Sequence, residues 1–163
     1  LFHLTTSVPP WNSPFLDGLD ACLAQHGSTP ILLPCGYPLE GDGEHFTEQG
    51  FSKFSYDFAK ELGERIRGPV LILSDSTIGY GGEQWVHDVE RSLAHRGIHA
   101  RVDAVNGSGF VARARFGEHF YARLRNRRED HVVFIGGWND EHLDIPRIGR
   151  AARRSPLFDA PLD

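Results

Sequence analysis

Apolar residues along the chain gather in short, often β-branched runs, separated by longer stretches in which they recur every three or four positions. "LFHLTT" (1–6), "PILLP" (30–34), "PVLILS" (69–74), "HARVDAV" (99–105) and "HVVFIG" (131–136) have the length and composition of strands. Between and after them, helical spacing covers about 14–26, 47–66, 83–96 and 110–128, with a weaker pattern at about 140–154. The second of these is the clearest. Phe51, Phe54, Phe58 and Leu62 share one face, and Thr47 stands where a capping hydroxyl is expected. In the fourth, Phe116, Phe120 and Leu124 recur at i, i+4 spacing, which puts the arginines of "RARFGEHFYARLRNRR" (Arg113 to Arg128) on a solvated side.

Strand and helix alternate along the whole chain, the pattern of a parallel sheet covered on both faces, and "VLIL" and "VVFI" lack the polar alternation of a half-exposed strand. The expectation is an α/β three-layer sandwich forming a single domain over 1–163. No repeat or linker interrupts it, and the Pro-rich "SVPPWNSP" (7–14) reads as a loop after a strand.

Composition narrows the partners. The chain is 40% hydrophobic and 24% charged, ordinary for a globular protein, and its net charge of −5 gives no general attraction to nucleic acid or to an acidic membrane. No apolar run approaches the roughly 20 residues of a membrane span. Neither nucleic acid nor membrane is therefore expected as a partner, and a soluble protein without a signal-like segment is expected, cytoplasmic or secreted. Cys22 and Cys35 are too few for a disulfide framework and read as buried thiols. The sequence sets no oligomeric state.

In an open parallel sheet, ligands bind beyond the carboxyl ends of the strands, so the polar residues after each run are the candidates. They are Ser74-Asp75-Ser76, then "NGSG" (Asn106 to Gly109), "GGWND" (Gly136 to Asp140) and, after a short loop, "DGEH" (Asp42 to His45). A serine hydroxyl becomes a nucleophile when a base takes its proton, and a histidine is a dependable base when a carboxylate fixes its tautomer. His45 and Asp42 supply those types. A glycine N–H and an asparagine amide are suitable donors to the oxyanion that attack on an ester creates.

These residues resemble the blocks of the SGNH (GDSL-type) serine hydrolases. Ser-Asp-Ser followed by glycine is similar to the first block, usually Gly-Asp-Ser; "NGSG" resembles the second; "GWND" matches the third, Gly-x-Asn-Asp; and "DGEH" matches the fifth, Asp-x-x-His, with a helix opening in Thr and Gly after it. The resemblance implies a flavodoxin-like sheet and carboxylic ester chemistry through an acyl-enzyme, with no metal and no cofactor. Carried over by position, Ser76 is the nucleophile, His45 the base and then acid, and Asp42 its orienter. The Ser76 N–H, Gly107 or Gly109, and the Asn139 amide would form the oxyanion hole. Trp11, Tyr80 and Trp138 are the aromatic candidates for contact with a small-molecule or glycan ester, its acyl group expected to be short. An O-acyltransferase using the same acyl-enzyme, or a non-catalytic ligand-binding module on the same scaffold, remains an alternative.

Two features depart from the family pattern. Ser74 stands where glycine is usual, with room either to narrow the turn or to add a hydrogen bond. More consequentially, Asp42 and His45 precede Ser76, whereas the family's Asp-x-x-His comes last. A triad is a geometry rather than an order, and reading the chain from "PVLILS" through its end and back into "LFHLTT" restores the usual sequence of blocks. The expected fold is thus a circularly permuted SGNH hydrolase fold, with five parallel strands in the spatial order 4-3-5-1-2 of this chain's own count.

Other chemistries fit less well. Gly79-x-Gly81 would need a further glycine where Gln84 stands to make a dinucleotide loop, and no Lys-Ser/Thr pair closes a P-loop. Asp140, His142 and Asp144 could ligate a metal but come from one segment and read as a solvated helix start. The histidines other than His45, His3 among them, read as surface or strand-end residues.

Overall fold

The computed structural model describes residues 1–4, 14–34, 36–110 and 119–141, with the backbone alone at 14–16, 126, 138 and 141. Its five strands are β1 (Phe2–Leu4), β2 (Thr29–Pro30), β3 (Val70–Ser74), β4 (Ala100–Ala104) and β5 (His131–Ile135). The helices are α1 (Pro14–Gln25), α2 (Glu48–Arg65), α3 (Ser76–Gly79), α4 (Gly82–Ala94), α5 (Phe120–Arg123), continued by a 3-10 turn Leu124–Asn126, and α6 (Trp138–Glu141). All strand pairings are parallel, and the sheet order is β2-β1-β5-β3-β4, the order expected from the sequence.

The central strands explain the layers. Side chains alternate across a sheet, so β3 sends Val70 and Ile72 to one face and Leu71 and Leu73 to the other, all fully buried. On the first face, Val70, Ile72, Val133 and Ile135 pack with Phe51, Phe54, Phe58 and Leu62 of α2 and with Trp85, Val89 and Leu93 of α4. On the second, Leu71, Leu73, Val132 and Phe134 pack with Leu23 of α1, with Phe120 of α5, and with Tyr121 and Leu124. The two edge strands differ in kind. β4 carries exposed Arg101 between half-buried residues. In β2 the N–H groups of Thr29 and Ile31 bond to Leu1 and His3 carbonyls, leaving Pro30, which has no N–H, with nothing to lose at the sheet edge.

Helix α2 starts as its sequence indicates, with the Thr47 hydroxyl accepting the Gly50 N–H at 3.0 Å. Other local readings are corrected. Phe110 stands before any helix, and the helical part of 110–128 that the structure describes is Phe120–Arg123, started by His119 Nδ1 accepting the Ala122 N–H. Phe120 and Leu124 point inward as expected, whereas Phe116 lies outside the described residues. Cys22 is exposed rather than buried, because it lies off the Leu19–Leu23 stripe of α1; Cys35 lies outside the described residues. His3 is neither at the surface nor at a strand end but fully buried at the middle of β1: its imidazole lies between the Ser28 hydroxyl (2.8 Å) and an Asp20 carboxylate oxygen (2.7 Å), tying β1 to α1.

Phe58 is 0% exposed at the centre of the α2 stripe and stacks on Phe54. Phe58→Ala is expected to lower stability by about 3–5 kcal/mol, read by urea denaturation at pH 7. A loss under 1 kcal/mol would mean that α2 is not packed on the sheet in this way.

Candidate active site

The loops after β3, β4 and β5 meet at one edge of the sheet, because these strands are neighbours and all run the same way. The apolar run of β3 ends in Asp75, whose carboxyl is buried at 2% exposure. Its Oδ1 accepts the Thr77 N–H (2.8 Å) and hydroxyl (2.7 Å), which caps α3, and its Oδ2 accepts the Asn139 amide at 3.2 Å. Burial pushes the Asp75 pKa up to about 6, with Asp140 adding to the rise and the Thr77 hydrogen bonds opposing it. Ser76 follows as the first residue of α3, partly exposed, and among the described residues neither its hydroxyl nor its N–H has an acceptor.

The turn after β4 is drawn against this point from two sides. Val105 N–H donates to Ser74 O at 2.9 Å, and Ser108 donates its N–H and its hydroxyl to Val105 O at 3.1 and 2.7 Å. Gly107 is exposed with φ of 76°, a conformation that favours glycine. Gly109 is buried for a different reason: a side chain there would run into the Asp140 carboxylate. Asp140, itself 1% exposed, accepts the Phe110 N–H at 2.7 Å. The N–H groups of Gly107 and Gly109 have no acceptor among the described residues.

Asn139 takes a position the sequence reading did not foresee. Its amide nitrogen donates both to Ser108 O (2.9 Å) and to Asp75 (3.2 Å), so its two N–H groups brace the turn against β3. Of the two roles open to Ser74, the structure speaks to the hydrogen bond. Its hydroxyl is buried and has no hydrogen-bond partner among the described residues, so it adds no bond to the turn.

Asp42 and His45 sit in a hairpin closed by the Leu39–Phe46 bridge and by Glu40 N–H donating to His45 O at 2.7 Å. Phe46, 2% exposed, anchors it in the α2 core. Asp42 is divided in use. Oδ1 accepts the N–H groups of Glu44 and His45, the Asx-type turn, while Oδ2 lies 2.7 Å from His45 Nδ1. The His45 side-chain bond, and after it the backbone bonds, hold the Asp42 carboxyl down at about 2. An ionised Oδ2 can only accept, so the neutral imidazole carries its hydrogen on Nδ1 and leaves Nε2 with a lone pair.

His45 and Ser76 are not hydrogen-bonded; Tyr80 joins them. Its N–H donates to Ser76 O at 3.1 Å, and its ring stacks on His45 with centroids 3.9 Å apart and planes 16° apart. Tyr80 is 48% exposed, so one ring face is given to His45 and the rest is open to a ligand. Beyond it, Trp85, 6.0 Å away, helps line a groove of about 310 Å³ between α2 and α4 with Glu48, Phe51, Ser52, Gln84 and Asp88. Trp11 lies outside the described residues, and of Trp138 only the backbone, at the start of α6, is described.

The structure thus brings Ser76, Gly107, Gly109, Asn139 and Tyr80 to one edge, with the Asp42–His45 pair beside Tyr80. Sequence reasoning missed the brace itself, namely Asp75, Ser108 and Arg123. Arg123 was read as solvated, but its side chain is 8% exposed and reaches Asp103 and Ser108. Only the position of Asp75 directly before Ser76 was available as a signal. Among protein-family models, curated proteins and solved structures, none matches this chain.

A carboxyl raised to about 6 binds its proton more tightly folded than unfolded, so its contribution to stability is complete below about pH 4 and is lost as pH rises through 6. Wild type is therefore expected to lose on the order of 2–3 kcal/mol relative to Asp75→Asn between pH 4 and 7, measured by denaturant unfolding of both proteins at each pH. A difference that stays flat with pH would contradict a buried, titrating Asp75.

Proposed function

We propose that the protein is a serine esterase or deacylase of the SGNH type, with its blocks in circularly permuted order. Counted from β3, the observed sheet order becomes 2-1-3-4-5, the flavodoxin-like order, and the candidate loops follow its first three strands. The observation that carries the proposal is the Asp42–His45 pair stacked against Tyr80 one helical turn from Ser76, with neither His45 Nε2 nor the Ser76 hydroxyl hydrogen-bonded among the described residues.

In the reaction, Ser76 Oγ attacks the carbonyl carbon of a carboxylic ester while His45 Nε2 takes its proton, and Asp42 stabilises the imidazolium. The oxyanion receives the N–H groups of Ser76 and of Gly107 or Gly109, donors without an acceptor among the described residues. Asn139 contributes by holding the turn, and donates to the oxyanion only if it releases Ser108 O or Asp75. Collapse expels the alcohol with the proton from His45; water then attacks the acyl-enzyme with His45 as base, and the second collapse breaks the acyl–Oγ bond, releasing the carboxylic acid and returning the proton from His45 to Ser76 Oγ. Ser76 and His45 close to hydrogen-bond distance as substrate enters, since such bonds are often loose in free enzymes. The open edge suits a short acyl group, and the groove beside Trp85 suits the hydroxylated carrier.

One observation favours a different class: the missing Ser76–His45 bond is what a ligand-binding module on this scaffold would have. The two readings part on p-nitrophenyl esters of increasing chain length. Wild type is expected to turn over the short esters and to be labelled at Ser76 by a serine-reactive phosphonate, while Ser76→Ala and His45→Ala each lose several powers of ten in kcat. Undiminished turnover in either variant would sink the mechanism, and absence of both turnover and labelling in wild type would select the binding module.

A further inference from the structure

Arg123 does not behave like a surface arginine. From the end of α5 it enters the space beneath the β3 and β4 carboxyl ends, its side chain 8% exposed and its guanidinium carbon 5.2 Å from the Phe120 ring centre. Nη1 donates to Asp103 Oδ1 (2.7 Å) and Asp103 O (3.1 Å); Nη2 donates to Ser74 O and to Ser108 Oγ, both at 3.2 Å. Its Nε–H is buried without a partner among the described residues.

That combination is a poor bargain for stability alone. Burying a charge with one N–H unmet costs more than packing an apolar side chain of the same volume. What the four bonds achieve is geometric. They join Asp103 near the end of β4, Ser74 two residues before the candidate nucleophile, and Ser108 at the centre of the Gly107–Gly109 turn. Asn139 holds the same Ser108 by its carbonyl, so the turn is gripped from two sides.

We infer that Arg123 is a positioning residue that sets the Gly107–Gly109 turn against Ser76 so that its N–H groups meet the oxyanion. This rests on the ester-hydrolysing reading above. Lysine in its place keeps a positive charge for Asp103, but its single ammonium does not reproduce the planar fork that spans Ser74 O and Ser108 Oγ. Ser108→Ala removes the hydroxyl that Arg123 holds, together with that hydroxyl's own bond to Val105 O, and leaves the Asn139 bond to Ser108 O in place, so Arg123→Lys is the variant that isolates the guanidinium. Because the turn matters to the transition state more than to the bound ester, the loss belongs in kcat rather than KM.

The experiment measures kcat and KM for p-nitrophenyl acetate, per folded molecule as judged by circular dichroism, in wild type, Arg123→Lys, Ser108→Ala and, as the control for the ester-hydrolysing reading, Ser76→Ala. Expected is a fall in kcat of about 10- to 100-fold in Arg123→Lys and a smaller fall in Ser108→Ala, with KM within about threefold of wild type. Should Arg123→Lys fail to fold, Ser108→Ala carries the comparison. Folded variants with unchanged kcat, or with a raised KM alone, would overturn the positioning role and leave the esterase reading standing. Wild-type turnover that is absent, or equal in Ser76→Ala, would overturn both.

Discussion

The burial of the Asp75 carboxyl at the end of β3 is the constraint on which the candidate site depends. A carboxyl taken out of water needs donors, and the fold supplies them from two directions, Thr77 at the second residue of α3 and Asn139 from α6. Each donor fixes something else. The Thr77 bonds start α3 at Ser76, which sets where that hydroxyl emerges. The Asn139 bond brings a second N–H onto Ser108 O, and Ser108 in turn meets Arg123, which meets Asp103. A chain of hydrogen bonds therefore runs from α3 through α6 to β4, and each polar group in it is held because its neighbours are.

The sheet was legible because its signal is local. A central parallel strand buried on both faces must be apolar at successive positions, and "VLIL" and "VVFI" are. Helix α2 was legible for the same reason, its four apolar anchors and its cap lying within one stretch. Two misreadings share a cause as well. Arg123 and His3 were assigned exposure from their own surroundings in sequence, whereas burial was decided by residues far away: Ser74 and Asp103 for Arg123, Asp20 and Ser28 for His3. The site shows both sides of this. Asp42 and His45 lie three residues apart and announce each other, but the use of Asn139 as a brace depends on a carbonyl 31 residues away.

Chain order turns out to matter little for the geometry. Asp42 and His45 precede Ser76 by a whole helix and strand, yet they meet Tyr80 because α2 and α4 pack against the same face of the sheet and bring the Phe46-anchored hairpin to the edge where α3 begins. What the order does alter is which connection is covalent. Here α2 runs directly into β3, so the segment that follows the histidine and the strand that precedes the serine are one continuous piece. The Asp42–His45 hairpin and the turn at Ser76 are thereby tied at the two ends of that piece.

The two carboxyls nearest Ser76 in function are driven in opposite directions by their surroundings, and this divides their roles. Asp42 is exposed and bonded to an imidazole and two N–H groups, which hold it at about 2; it stays charged through the whole range in which the protein is expected to operate. Asp75 is buried and pushed to about 6, so its charge is present near neutrality and lost in mild acid. In the proposed reaction an orienter for the base must be ionised whenever the base is used, a condition the lowered pKa of Asp42 meets. A carboxyl that titrates near 6 is ill suited to that duty but well suited to a brace, because its protonated form can still bond to its neighbours. The exposed acid governs charge at the site, and the buried one governs its shape.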